Sequence, residues 1–160
     1  MEDRLEAARQ VMRDLDISQE WDTVVEDGMP PELATVTGEM IDAYRRADVE
    51  WLLEHADPDL EITQLEELPD AKTYRGHEGL IDALLDWPRQ WQDFRIEPRR
   101  VFSVGPDHVL IVGIHRGRSG MIDIEVEAPI VFLMRWRDGL LTDWNMFMTV
   151  DDAVAEANAR

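Results

Sequence analysis

APIVFLMRWRDGLLTDWNMFMTV, residues 128–150, is the stretch on which the fold turns. Asp138-Gly139 is the two-residue signature of a type I′ turn, with an apolar-rich run on each side. With that turn, Arg137 faces Leu140, and residues whose numbers sum to 277 pair across the ladder. One face then carries Val131, Leu133, Trp144, Met146 and Met148; the other carries Phe132, Met134, Trp136, Leu141 and Phe147. Neither face is polar enough to meet water. The hairpin is therefore expected to be sandwiched, with helices over one side and further protein, a second copy of the chain, over the other.

Working outward, every even position from Ile122 to Trp136 is apolar, which predicts one long strand. Its odd positions begin with Asp123, Glu125 and Glu127 and change to Val131 and Leu133, so only the later half is covered on both sides. Upstream, Val109 to His115 is apolar on both faces and reads as a central strand, followed by a turn at Arg116–Gly120. Phe94 to Val104 contains Pro98, which suits an edge strand or a bulge. A helix is predicted from about His77, with Leu80, Leu84, Trp87 and Trp91 along one side and Pro88 as a kink or restart. Leu60 to Leu65 alternates as a strand, with Leu60, Ile62 and Gln64 on one face.

Before it come two helices. Glu32 to Arg46 carries Val36, Met40, Ile41 and Tyr44 on one stripe, and Asp48 caps a shorter helix with Val49, Leu52 and Leu53 inward. Three helices followed by a curved antiparallel sheet make an α+β cone that leaves a space between sheet and helices. Residues 1–33 read as a helical extension, with Leu5, Ala8, Met12 and Leu15 at helical spacing and Trp21, Val24 and Val25 anchoring a connector. The main domain is then 34–160.

The net charge is −19, and it is uneven: residues 1–70 hold 21 acidic and 5 basic side chains, the rest 14 and 11. Such a surface repels phosphate backbones and anionic lipid, so neither nucleic acid nor membrane is expected as a partner. There is no cysteine. The four histidines, His55, His77, His108 and His115, lack the spacing of a metal site, so no metal or cofactor is expected. The charged N-terminus and the lack of any long apolar run predict a cytoplasmic protein.

In order along the chain, AYRRADVEWLLEHADPDLEI, YRGHEGLIDALLDWPRQWQDFRIEP, the hairpin and FMTVDDAVAEA resemble the nuclear transport factor 2-like superfamily in its SnoaL-like branch. The resemblance covers about residues 34–158. It implies a cone-shaped fold and places Met40, Tyr44, Gln64, Val131, Leu133, Trp144 and Met146 around a cavity. Superfamily members include isomerases, cyclases, dehydratases, epoxide hydrolases and non-catalytic binders, so residues must decide between them. The positions that carry the tyrosine and the two acids of ketosteroid isomerases fall on Met40, Gln64 and Val131. The acid that follows the tryptophan in SnoaL-like cyclases falls on the Asn145-Met146 run. None of these supplies a general base.

Three functions follow. The first is a homodimeric binder of a small hydrophobic or aromatic molecule, with Trp87 and Trp91 roofing the cavity above Met40, Tyr44, Gln64, Val131, Leu133, Trp144 and Met146. The second is a lyase or isomerase of the cyclase, dehydratase or epoxide hydrolase kind. Here Tyr44 or Gln64 would hold an oxygen and His115 or Asp123 would move a proton. The third is an interaction module whose acidic first 70 residues dock a basic partner.

Overall fold

In the computed structural model, which describes residues 2–64, 72–119 and 124–159, Asp138 and Gly139 have φ of 52° and 78°. This is the type I′ geometry, which these two residue types adopt at low steric cost. The turn joins β5 (Glu125–Arg137) to β6 (Leu140–Phe147). Next to it Arg137 faces Leu140 and Trp136 faces Leu141, as expected. Beyond it the register slips by one, so that Arg135 faces Asp143, Met134 faces Trp144 and Phe132 faces Met146. Thr142 is the extra residue of a β-bulge, with its hydroxyl 3.3 Å from the Arg135 carbonyl and 2.9 Å from the Asp143 carboxylate.

A slip of one residue moves every side chain beyond it to the other face. Trp144 and Met146 therefore share a face with Phe132 and Met134, while Val131 and Leu133 point the opposite way. The slip sets Arg135 opposite Asp143, an oppositely charged pair.

The remaining elements are α1 (Glu2–Asp14), α2 (Glu20–Thr23), α3 (Pro31–Arg45), α4 (Val49–Glu54), β1 (Ala56–Thr63), β2 (Thr73–Arg75), α5 (Gly76–Arg89), β3 (Trp91–Val104), β4 (His108–Ser119) and α6 (Val150–Asn158). The sheet order is β2-β1-β6-β5-β4-β3. All neighbours are antiparallel except β1 and β6, which run parallel, a departure from the all-antiparallel expectation. The sheet is curved and unclosed, and the larger core lies between it and the helices. Asp48 caps α4 by accepting the Trp51 N–H at 3.1 Å.

Three further expectations change. α5 ends one residue after Pro88, which cannot donate to the preceding turn, rather than kinking there, and Trp91 opens β3. Arg116 to Ser119 belongs to β4, where Arg116 faces Glu127 and Arg118 faces Glu125 across the ladder. The reversal that follows, with Asp123, lies outside the described residues.

On the outer sheet face, Leu110, Val131 and Leu133 are at most 2% exposed because Ala153 and Ala157 of α6 pack on them. Protein does cover this face of the hairpin, but it is the chain's own last helix. The edge strand β3 carries Pro98 at a bulge. Gly113 opposite it has no room for a side chain, since a Cβ would stand 2.8 Å from the Glu97 carbonyl.

The extension is bound to the body along its length. Arg4 pairs with Glu78 at 2.8 Å and with Asp82, and Arg9 pairs with Glu50. Arg45 holds the Ser18 carbonyl at 2.8 Å and Asp22 at 3.0 Å. At its far end the Val101 N–H donates to the Val24 carbonyl at 2.9 Å and the Glu26 N–H to the Val101 carbonyl at 2.8 Å. That bridge covers part of the free edge of β3.

Candidate functional site: an apolar cavity under the helices

The concave face of the sheet and the helices enclose a cavity of about 100 Å³. The alternation after the bulge brings Phe132, Met134, Trp144 and Met146 to its floor, joined by Ile62 of β1 and Ile111 of β4. The Phe132 and Trp144 rings meet edge to face, 5.6 Å between centroids. From α3 come Met40, Ile41 and Tyr44, and from α5 come Ala83, Leu84, Trp87 and Pro88. Phe94 and Ile96 of β3 complete one side. Val11, Leu15, Ile17 and Trp21 of the extension close another.

The polar groups are few. Gln64, just past β1, is 6% exposed. Its amide nitrogen donates to the Tyr74 hydroxyl at 3.4 Å and its amide oxygen accepts the Lys72 N–H at 3.3 Å. The Tyr74 hydroxyl donates onward to Asp86 at 2.9 Å. Burial, then the bond to Asp86, pushes the Tyr74 phenol up to about 12, so it stays protonated at neutral pH. Burial likewise raises the Tyr44 phenol. Among the described residues that line the cavity, none is Asp, Glu, His, Lys or Arg.

Of the residues singled out from the sequence, Met40, Tyr44, Gln64, Trp87, Trp144 and Met146 come together here. Val131 and Leu133 do not: the bulge on β6 turns Trp144 and Met146 away from their face and leaves these two under α6. Trp91 does not either: it lies on the outer side of Phe94 and Pro88, in a surface crevice with Asp14 and Asp93. His115, 4% exposed, is walled in by aromatic rings, with centroids at 4.6 Å (Trp91), 4.9 Å (Phe94) and 5.9 Å (Trp87). Its Nε2 finds no partner, and burial pushes its pKa down to about 4. Asp123 lies outside the described residues.

The lining residues not singled out from the sequence include Tyr74, Phe132, Met134, Phe94, the aliphatic walls Ile62 and Ile111, and the four extension residues. Phe132 and Met134 were assigned to the opposite face by the same register that misplaced Val131. Tyr74 stands between exposed Thr73 and Arg75 in a segment that reads as loop.

The SnoaL-like domain pattern matches residues 37–144. The chain belongs to the SnoaL-like domain family. Its fold recurs in an NTF2-like protein from Burkholderia xenovorans LB400, 28% identical, with a TM-score of 0.60 over 81% of this chain and 98% of that one. It recurs also in TerC, crystallised with polyporic acid, 22% identical, with a TM-score of 0.58 over 82% and 100%. A third structure, from Jannaschia sp. CCS1 and named for its likeness to SnoaL-like polyketide cyclases, is 13% identical, with a TM-score of 0.59 over 84% and 97%. No curated protein matches. The family pattern stops short of the extension, so Val11, Leu15, Ile17 and Trp21 are lining that lies outside it. No described helix is long and apolar enough to cross a membrane.

Proposed function

We propose that this SnoaL-like chain binds a small apolar or aromatic molecule in the cavity, and that binding rather than turnover is its role. One observation carries the reading: the cavity is lined by hydrocarbon and aromatic rings, and no described lining side chain bears a charge. General acid–base chemistry needs a group poised near neutral pH, whereas Tyr44 and Tyr74 are both held protonated. The resemblance read from the sequence puts Met40 and Gln64 where ketosteroid isomerases carry a tyrosine and an acid. At about 100 Å³ the space is smaller than the engineered cavity of about 150 Å³ that takes benzene, which limits the ligand to a single ring.

Isothermal titration with ethylbenzene tests this. The wild type is expected to bind it. Ala83→Leu, which grows into the cavity, is expected to weaken binding roughly tenfold or more, an overpacking effect. A wild type that takes up no one-ring aromatic would overturn the reading.

The homodimer belongs to the same proposal. Beyond α6 the outer sheet face keeps Phe102, Val112 and Phe147 only partly covered, and Met148 is 43% exposed. Light scattering that gives a monomer at micromolar concentration would remove this part.

One feature favours a second reading, a lyase or isomerase. Gln64, Tyr74 and Asp86 form a chain from the cavity to a carboxylate whose side chain is 32% exposed. In that reading Tyr74, which itself lines the cavity, gives its proton to the substrate and regains one from Asp86, while the Gln64 amide only holds the phenol in place. Turnover of a cyclisable or dehydratable substrate that vanishes in Tyr74→Phe would favour it.

A further inference from the structure

Three side chains of the cavity lining carry an oxygen, those of Tyr44, Gln64 and Tyr74. Two of them are engaged. The Gln64 oxygen accepts the Lys72 N–H, and the Tyr74 oxygen accepts from the Gln64 amide while its own proton goes to Asp86. The Tyr44 hydroxyl makes no hydrogen bond with a described residue, yet it does not belong to the buried atoms that lack a partner, so it keeps accessible surface. Tyr44 is partly buried against the core, and burial is what raises its phenol, a shift that a hydroxyl in open solvent does not show. The surface it keeps therefore lies on the cavity that it lines. The indole nitrogens of Trp87 and Trp144, by contrast, have almost no accessible surface. The helix that carries Tyr44 offers its hydroxyl no partner: one turn back stand Met40 and Ile41, one turn on stands Ala47, and the Asp48 carboxylate is taken by the Trp51 N–H. A bound water needs about 2–4 polar partners, and Tyr44 supplies the one unengaged side-chain oxygen among the described lining residues.

Resting on the binding role proposed above, we infer that the ligand is an uncharged one-ring aromatic compound with one oxygen substituent, phenol in its simplest form, and that the Tyr44 hydroxyl anchors that oxygen. A hydroxyl both donates and accepts, so a hydroxyl or a carbonyl on the ligand suits it equally. What defines the class is an oxygen without a charge. A hydrocarbon fits the walls but leaves the Tyr44 hydroxyl unpaired. A carboxylate would enter a space where no described lining residue is cationic, and an unpaired charge buried in an apolar site is strongly disfavoured. The raised phenol keeps the anchor neutral, and so able to donate, at neutral pH.

The test measures dissociation constants of the full chain, by calorimetry, for phenol, toluene and benzoate. Phenol and toluene differ only by a hydroxyl in place of a methyl group. A cavity with no partner for the oxygen prefers toluene by roughly thirtyfold or more, because phenol gives up its hydrogen bonds to water without replacement. The inference expects phenol to bind within about tenfold of toluene or more tightly, and benzoate to bind at least roughly tenfold more weakly than phenol. Tyr44→Phe removes the hydroxyl and keeps the ring, with toluene reporting any change of shape. In this variant the affinity for phenol relative to toluene should fall about tenfold, the effect of one hydrogen bond. The chain has two tyrosines, so tyrosine isotopically labelled at Cζ gives two NMR signals, assigned by whichever of Tyr44→Phe and Tyr74→Phe folds. Phenol should shift the Tyr44 signal more than toluene does, and this readout decides if Tyr44→Phe does not fold. Toluene preferred by more than about tenfold in the wild type, benzoate tightest, a ratio unchanged in Tyr44→Phe, or a fall confined to Tyr74→Phe would overturn the inference and leave the binding role standing. If none of the three binds, the binding role itself falls.

Discussion

His115 gives the sharpest test of the packing around the cavity. Its ring is 4% exposed, and the residues that face it are Trp87 from α5, Trp91, Phe94 and Ile96 from β3, and Ala128 from β5, none of them ionisable. Burial without a partner charge favours the neutral ring and lowers its pKa from 6.5 to about 4. The unfolded chain therefore takes up a proton near pH 6.5 that the folded chain refuses until about pH 4. Stability from this residue is complete above pH 6.5 and is lost as the pH falls toward 4. At about 1.4 kcal/mol per pH unit the full loss is roughly 3 kcal/mol, of which roughly 2 falls between pH 7.5 and 5.

The perturbation is His115→Phe, which keeps an aromatic ring in the cage and cannot titrate. Urea unfolding of both proteins at pH 7.5 and pH 5 supplies the four stabilities needed. Carboxylates held low by arginine partners, such as Glu97 beside Arg116, lose stability on acidification too, but equally in both proteins. The wild type should lose about 2 kcal/mol more than the variant over this interval. Losses that agree to within about 0.5 kcal/mol would refute the buried, unpaired histidine, given the error of extrapolation.

Other outcomes follow from the register and from the extension. Val131→Ala should cost roughly 2 kcal/mol in urea unfolding yet leave ethylbenzene affinity unchanged, because Val131 lies under α6. Phe132→Ala should cost roughly 3–5 kcal/mol and alter that affinity; the opposite pattern would move the bulge away from Thr142. Arg45→Met frees the carbonyls of Ile17 and Ser18 and the carboxylate of Asp22, and should cost about 1–2 kcal/mol. Hydrogen exchange should quicken at residues 15–23 and not in β4 or β5. Asp48→Ala removes the cap of α4 and should cost about 1 kcal/mol in the same unfolding assay.

What was legible in the sequence is what depends on local chemistry. Asp138-Gly139 fixes its turn through two residues that tolerate positive φ, Asp48 fixes a helix start through one carboxylate, and Pro98 marks an edge because it cannot donate to a ladder. The faces of the hairpin were harder, because a bulge adds a single residue and reverses everything beyond it. Its signal was present all the same: with pairs summing to 277, Asp143 faces Met134, whereas the slipped register gives it Arg135. Ala153 and Ala157, four apart on α6, were the corresponding sign of a helix able to lie close on the outer face.

The cavity is a joint product of these local and non-local features. The bulge at Thr142 turns Trp144 and Met146 inward beside Phe132 and Met134, and without it Val131 and Leu133 would be their neighbours. The family pattern, residues 37–144, spans the sheet as far as Trp144, α5 and the Met40–Tyr44 face of α3. It does not reach Val11, Leu15, Ile17 and Trp21, which lie across the remaining side. The same Leu15 and Trp21 also face a polar crevice with Asp14, Asp93 and Arg95, so the wall between cavity and surface is one side chain thick there. Both flanks of that wall turn through aspartates with positive φ, Asp16 at 48° and Asp93 at 54°. Arg45, which holds the connector down at Ser18 and Asp22, follows Tyr44 of the lining directly. The size of the cavity is thus set in part by a segment outside the matched pattern.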